Sequence, residues 1–455
     1  MVLERRSCML DKKNPEDEPR QKRSFIREKV VKQPLTRRQV LFRAGCAVLA
    51  AAACGAAAGT MFAVVSPVAN RYLGQETAEE SKTITIPRDE PETSAPPETA
   101  SEPVVTKPEQ TEESMLDFES FEEQVQEIIS NYEYTTGDFA SIYTGLKDVV
   151  AEADHGIVTV HSVKHGLDWF DNPVETSGLY AGAVIGSTPQ EYLILVPDGA
   201  VENADSIKVT FADGSEVDGS IRQMDQVSGM AMVSVRTEML NENTADSLSL
   251  IPLGNSYSVR QGDPVIAVGA PAGIVHSSTY GFISYVVKNV QVPDGMTRLL
   301  LADINGDAPT GTFLLNLNGQ MIGWVTNDYD NDQLTNLTTA MAISDYKTIL
   351  EKMSNGIAAP YLGIRGQEVS TAMEENGMPS GVYVADCIQN GPAYNAGIQN
   401  GDIVVKIGEK EISSMKDYEN QLENLRQGDT VTVTVQRKSV NEYKELEYQV
   451  NVGAR

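Results

Sequence analysis

Cysteine, histidine, tryptophan and, over most of the chain, positive charge are scarce in this 455-residue sequence, and each shortage removes a class of function. The four cysteines are Cys8, Cys46, Cys54 and Cys387. Only Cys387 lies in what reads as the folded body, so no disulfide can form within that body. No Cys/His spacing of the zinc-site kind occurs either. Nothing calls for a metal or a cofactor. Residues 1–43 hold 13 Lys+Arg against 6 Asp+Glu, a net +7, which leaves 23 against 58 in the remainder, a net −35. Nucleic-acid affinity rests on neutralising phosphates with Lys and Arg, so the acidic body is not expected to bind nucleic acid.

The basic tail, residues 1–43, leads into an uncharged stretch of 27 residues, Ala44 to Asn70. A hydrocarbon core of about 30 Å needs roughly 20 helical residues, so residues 44–70 are long enough for a single transmembrane anchor. Arg37, Arg38 and Arg43 before it favour a cytoplasmic N-terminus and an extracytoplasmic body at the cell membrane. A cleaved signal is the alternative. Arg37-Arg38 loosely resembles a twin-arginine export signal, and Cys54 weakly resembles a lipidation site. Residues 71–115 are dominated by Glu, Pro, Thr and Ser, a composition that cannot offset ordering entropy, and read as a disordered acidic stalk. Residues 116–153 read as a helical lead-in. Phe121, Val125, Ile128, Ile129 and Tyr132 give one amphipathic helix, and Asp138–Ala153 a second. A domain cap is favoured there over an oligomerisation helix.

From Gly156 the pattern changes to short β-branched runs at roughly ten-residue spacing, the signature of an all-β barrel or sandwich. Examples are Ile157–His161, Tyr180–Ile185, Tyr192–Val196, Ser206–Phe211, Met230–Val235, Pro264–Val268 and Met321–Thr326. Pattern alone goes no further.

Several segments resemble the HtrA/DegP-type serine proteases. They are Leu253-Gly254-Asn255-Ser256 leading to Gly262-Asp263-Pro264-Val265-Ile266-Ala267-Val268-Gly269, Thr279-Tyr280-Gly281-Phe282-Ile283-Ser284, and Leu314-Leu315-Asn316. Each is weak singly; their common order across residues 150–455 is what carries the resemblance. It implies a trypsin-like double β-barrel over residues 154–355, then an α+β PDZ domain over 356–455; with the anchor read from residues 44–70, the expected fold is mainly β with an N-terminal transmembrane helix. Within that resemblance, the His, Asp and Ser of the family's catalytic triad fall on Gly199, Gly229 and Thr310. No serine occurs between Asp303 and Asn316, so a one-residue slip restores no nucleophile. A hydroxyl without a base is a poor nucleophile. None of His155, His161, His165 and His276 lies at the base position. Pro309 also alters a loop whose N–H groups must face a developing oxyanion.

The segments Tyr361-Leu362-Gly363-Ile364, Asn390-Gly391-Pro392-Ala393 and Ala396-Gly397-Ile398 to Gly401-Asp402-Ile403-Val404 resemble a PDZ domain. The resemblance implies that a peptide C-terminus adds as a strand beside Arg365–Val369, its carboxylate held by N–H groups of the Leu362–Ile364 loop. A helix near Lys416–Leu425 forms the other wall, with Tyr418, Leu422 and Leu425 as pocket or core residues. The expected partners are peptide or protein C-termini, including misfolded envelope proteins, and the membrane. The family's trimeric habit leaves a homo- or hetero-trimer open. The expectation is an HtrA-like protein without proteolytic activity. The alternative is an active serine endopeptidase of envelope protein quality control.

Overall fold

The computed structural model describes residues 83–90, 135–167, 173–329, 336–440 and 442–455. The expected anchor at 44–70 and the expected helix over Phe118–Tyr132 lie outside them. Among the described residues no helix is long and apolar enough to cross a membrane.

The first barrel comprises β1 (Ile157–Leu167), β2 (Pro173–Ser187), β3 (Glu191–Pro197), β4 (Ser206–Thr210), β5 (Glu216–Asp225) and β6 (Met230–Arg236). They close in the order β1-β2-β3-β6-β5-β4. The second comprises β7 (Pro264–Gly269), β8 (Ser277–Val292), β9 (Gly295–Ala302), β10 (Thr312–Leu315), β11 (Met321–Val325) and β12 (Thr338–Ala342), closing as β10-β11-β12-β9-β8-β7.

Successive side chains of a strand point to opposite faces, and here both faces are used. On β3, Ile194 and Val196 fill the first barrel, while Leu193 and Leu195 join the core between the barrels. On β10, Leu314 fills the second barrel and Phe313 and Leu315 face the first. This explains why these strands read as unbroken apolar runs. Burying one such side chain contributes about 1.5–3 kcal/mol. Trp324 on β11 is 1% exposed, and its Nε1 donates to the Ser228 carbonyl of the other barrel at 3.0 Å.

Besides the short helix Glu242–Ser247, two longer helices flank the barrels. Helix α1 (Thr136–Asp154) begins where the Asp138 carboxylate accepts from the Thr135 N–H at 2.7 Å. It packs Leu146, Val149 and Val150 on the core between the barrels and leaves Phe139, Ile142 and Tyr143 exposed. Helix α2 (Lys347–Ser354) buries Leu350 and Met353.

The PDZ domain contains β13 (Pro360–Tyr361), β14 (Ile364–Glu368), β15 (Val382–Cys387), β16 (Ile403–Ile407), β17 (Lys410–Glu411), β18 (Thr430–Lys438), β19 (Tyr443–Asn451) and β20 (Gly453–Ala454). Its main sheet runs β14-β15-β16-β18-β19, which places β14 at an edge. Helix α3 (Met415–Glu423) starts at a capping box between Ser414 and Asp417 and turns Tyr418 and Leu422 into the core.

Residues 83–90 depart from the expected disordered stalk. Ile84 exchanges hydrogen bonds with the Asn355 side chain, and the Ile86 N–H donates to Glu351 at 2.9 Å. Asp89 pairs with Lys347 at 2.8 Å and accepts from the Ser344 hydroxyl at 2.5 Å, where the lysine side chain is 6% exposed. Arg88 meets Glu423 of α3 at 3.2 Å. The composition of the whole stretch hid the short alternation Ile84, Ile86, which places two apolar side chains on one face. The PDZ domain is also tied to the first barrel by Arg455, whose Nε lies 3.0 Å from the buried Asp225 carboxylate at the end of β5.

Candidate functional site

Two sites follow from this arrangement: a cleft between the barrels and the edge of the PDZ sheet. In the cleft, β3 ends at Pro197 and the next residues, Asp198–Ala200, form a 3-10 turn that carries Gly199. Gly229 stands just before β6, and its carbonyl accepts from the Asp198 N–H at 2.9 Å. Thr310 lies on the loop entering β10. The Ala181 N–H donates to its carbonyl at 2.7 Å, and the Ala270 N–H to that of Gly311 at 2.8 Å, so both barrels fix the loop. Gly199, Gly229, Pro309 and Gly311 line one cleft of about 370 Å³. Two of the three positions carried over from the family, Gly199 and Gly229, line this cleft, and the third, Thr310, lies between its lining residues Pro309 and Gly311.

The cleft holds space where triad side chains would stand. A Cβ added at Gly229 would meet nothing within 4 Å, and one at Gly199 only the Tyr180 ring, at 3.8 Å. Among the described residues no histidine lines it. Two of its hydroxyls are engaged locally: Ser228 donates to the Asp225 carbonyl at 3.2 Å and Thr312 to the Asp307 carbonyl at 2.8 Å. Burial raises the Asp198 carboxyl above its ordinary range, opposed by the Gly199 N–H and reinforced by Glu202, Asp328 and Asp225.

Asp307, which sequence reasoning missed, sits at the critical amide. The Thr310 N–H donates to its Oδ1 at 2.8 Å. In a serine peptidase the nucleophile's own N–H helps hold the developing oxyanion. At Thr310, the position carried over for that nucleophile, the N–H serves the Asp307 carboxylate. The Gly311 N–H closes a turn onto the Ala308 carbonyl at 3.2 Å, with Gly311 at φ +102°. A Cβ there would lie 2.7 Å from the Ala181 carbonyl, so the loop depends on that glycine. The available signal was an Asp three residues before Thr310, the spacing at which a carboxylate accepts from the backbone of a turn.

The histidines are placed elsewhere. His155 ends α1, and His161 on β1 meets the Thr210 hydroxyl at 3.0 Å. His165 belongs to β1 as well. His276 pairs with Asp154 at 2.9 Å, a hydrogen bond that raises the imidazole against the opposing effect of burial.

The PDZ loop gathers the residues expected of it. The N–H groups of Leu362, Gly363 and Ile364 converge on one carboxylate at 2.7, 2.8 and 3.0 Å. Gly363 holds φ +80°, which only glycine adopts cheaply. The carboxylate is internal: it belongs to Asp294, in the two-residue turn between β8 and β9. Tyr418, expected as a pocket wall, donates its phenol to the same carboxylate at 2.6 Å. Burial pushes the Asp294 carboxyl up and the four donors pull it back. Tyr361 is half-buried beside the loop, while Leu362, Ile364 and Leu422 pack in the domain core and Leu425 packs against it. No groups of His, Cys, Asp and Glu suited to a metal occur among the described residues.

Comparison with known proteins agrees with this geometry. The trypsin-like peptidase domain family matches residues 181–323, and the PDZ domain family matches residues 360–451. The chain is 25% identical over 329 residues to the serine protease Do-like HtrA of Bacillus subtilis (strain 168), covering 66% of this chain and 72% of that one. It is 26% identical over 315 residues to the serine endoprotease DegS of Haemophilus influenzae (strain ATCC 51907 / DSM 11121 / KW20 / Rd), covering 67% and 86%. Among solved structures it is similar to the HtrA-type protease AlgW with decapeptide, at TM-score 0.48 and 19% identity, covering 68% of this chain and 98% of that chain. Two closed six-stranded barrels followed by a PDZ domain define a trypsin-like peptidase fold with an appended peptide-recognition module. In domain content and in sequence the chain is similar to HtrA-type serine proteases.

Proposed function

We propose that this HtrA-like chain is a membrane-anchored, extracytoplasmic protein without proteolytic activity, and that it binds peptide C-termini or misfolded envelope proteins. The observation that carries the loss of activity is the cleft itself. Gly199 and Gly229 supply neither base nor orienter, and Asp307 caps the Thr310 amide. A threonine hydroxyl with no base to take its proton does not attack a peptide carbonyl at a useful rate. A carboxylate against the oxyanion donor opposes the negative charge that attack would create. The anchor reading rests on the uncharged 44–70 stretch and its flanking arginines. The exposed Phe139, Ile142 and Tyr143 of α1 support assembly with further copies or with relatives.

The names of the curated relatives favour the other reading, a working serine endopeptidase of envelope quality control. Casein digestion by the purified full-length chain, run beside the Bacillus subtilis relative, separates the two. The proposal expects intact casein after overnight incubation; degradation at a rate near the relative's would favour the peptidase.

A further inference from the structure

We propose that the PDZ groove is closed by an internal ligand, in which Asp294 of the second barrel takes the place of a peptide C-terminus. The inference rests on the reading that this loop is the site for C-termini. Three independent features make the turn a ligand mimic. Its carboxylate accepts all three N–H groups of the Leu362–Ile364 loop, the role assigned to a terminal carboxylate. Its backbone pairs with the edge strand as an added strand would. The Asp294 N–H donates to the Ile364 carbonyl at 2.7 Å, and Pro293 bridges Arg365 in the antiparallel sense. The side chains continue that pairing, with Gln291 Nε2 donating to Gln367 Oε1 at 2.8 Å.

The turn also shows the cost of placing a carboxylate there. Val292 and Gly295 pair across a two-residue loop, Pro293-Asp294. Asp294 adopts φ +61°, a left-handed conformation that glycine takes more cheaply. A strained aspartate persists when its surroundings over-determine it, and here four donors, the Tyr418 phenol among them, hold it. The residue is also only 4% exposed at the junction of two domains, where a carboxylate is retained only with full hydrogen bonding.

An incoming C-terminus and Asp294 need the same three amides, so binding requires the hairpin to leave. Apparent affinity then falls by the fraction of molecules with an open groove. The latch also places the second barrel and the PDZ domain in one equilibrium, so a bound C-terminus would free the β8–β9 hairpin.

Two readouts on the full-length chain test the latch separately from the ligand. The first is hydrogen exchange at the Leu362, Gly363 and Ile364 amides in wild type and in Asp294→Gly, a substitution that suits the left-handed turn. Faster exchange of these amides by at least about tenfold in the variant, with the PDZ core unchanged, is expected. Unchanged protection overturns the proposal. The second is fluorescence polarisation with labelled nine-residue peptides carrying a free C-terminal Val, Ile, Leu or Phe. The variant should bind at least about tenfold tighter than wild type, and amidated peptides should not bind. Equal affinity of both proteins overturns the latch. Faster exchange without peptide binding by either protein supports the latch and sinks the C-terminus reading instead.

Discussion

Installing His, Asp and Ser at Gly199, Gly229 and Thr310 should not by itself give the turnover of an active relative, because the residue-310 amide is engaged by Asp307. Gly199→His and Thr310→Ser place a base and a nucleophile in the cleft. Gly199 has no left-handed backbone to oppose a side chain, and the nearest atom to an added Cβ is 3.8 Å away. Gly229→Asp supplies the orienter into open space, but at φ +66°, a strain of about 1–2 kcal/mol. The remaining obstacle is Asp307, bonded to the residue-310 amide at 2.8 Å. Losing one oxyanion donor costs about 10²–10³ in kcat, roughly 3–4 kcal/mol. The triple variant should therefore stay at least about 10² below an active relative through this donor alone. Adding Asp307→Gly to the triple variant should recover about that factor. The assay is turnover of a fluorogenic peptide, with thermal melts to confirm that each variant folds. A triple variant as fast as the relative, or a quadruple variant no faster than the triple, would refute the assignment of Asp307 as a block.

Three further outcomes follow from the packing. Glu419 on α3 accepts from the Met296 N–H at 3.0 Å, and its carboxyl is pushed up to about 7, chiefly by burial, with Asp345 and Glu423 adding and Arg455 opposing. The folded state thus keeps a proton that the unfolded state releases near the ordinary value of 4.5. The resulting stability is full below that value and is lost as pH rises through about 7. Glu419→Gln should flatten urea stability between pH 5 and 8 by on the order of 2 kcal/mol, and an unchanged slope would contradict the assignment. Asp89→Ala removes the partner of Lys347 and should lower the unfolding free energy by about 1–3 kcal/mol; no change would mean that residues 83–90 add nothing. Trp324→Ala should cost about 3–5 kcal/mol in urea unfolding by opening the core between the barrels, and a cost below about 1 would refute that packing.

Much of the fold was legible because alternation and turn chemistry agree along the chain. The runs at Tyr192–Val196 and Met230–Val235 became β3 and β6, and Asp138–Ala153 became most of α1. Strands β5, β8, β9, β10 and β12 are not among the runs singled out in the sequence. In β5, Val217 and Ile221 are diluted by charged and polar neighbours, and β8 runs 16 residues with much of its length exposed. In the cleft, sequence reasoning proposed three positions but passed over Asp307, whose three-residue spacing to Thr310 becomes a cap only once the loop turns the Thr310 N–H onto it. At the PDZ groove it named the loop residues and Tyr418. It could not foresee Asp294, whose partners lie 68 to 124 positions away. The docking of residues 83–90 was hidden for a related reason: the contacts that order the segment are with residues 344–355 and 423, not within it.

The central claim, a serine-peptidase fold whose cleft lacks a working nucleophile, is tested most directly by labelling with a fluorophosphonate probe. Such a probe reacts only with a hydroxyl activated by a base beside an oxyanion site. The full-length chain should remain unlabelled under conditions in which the Bacillus subtilis relative labels completely. Labelling of this chain that disappears in Thr310→Ala would contradict the account.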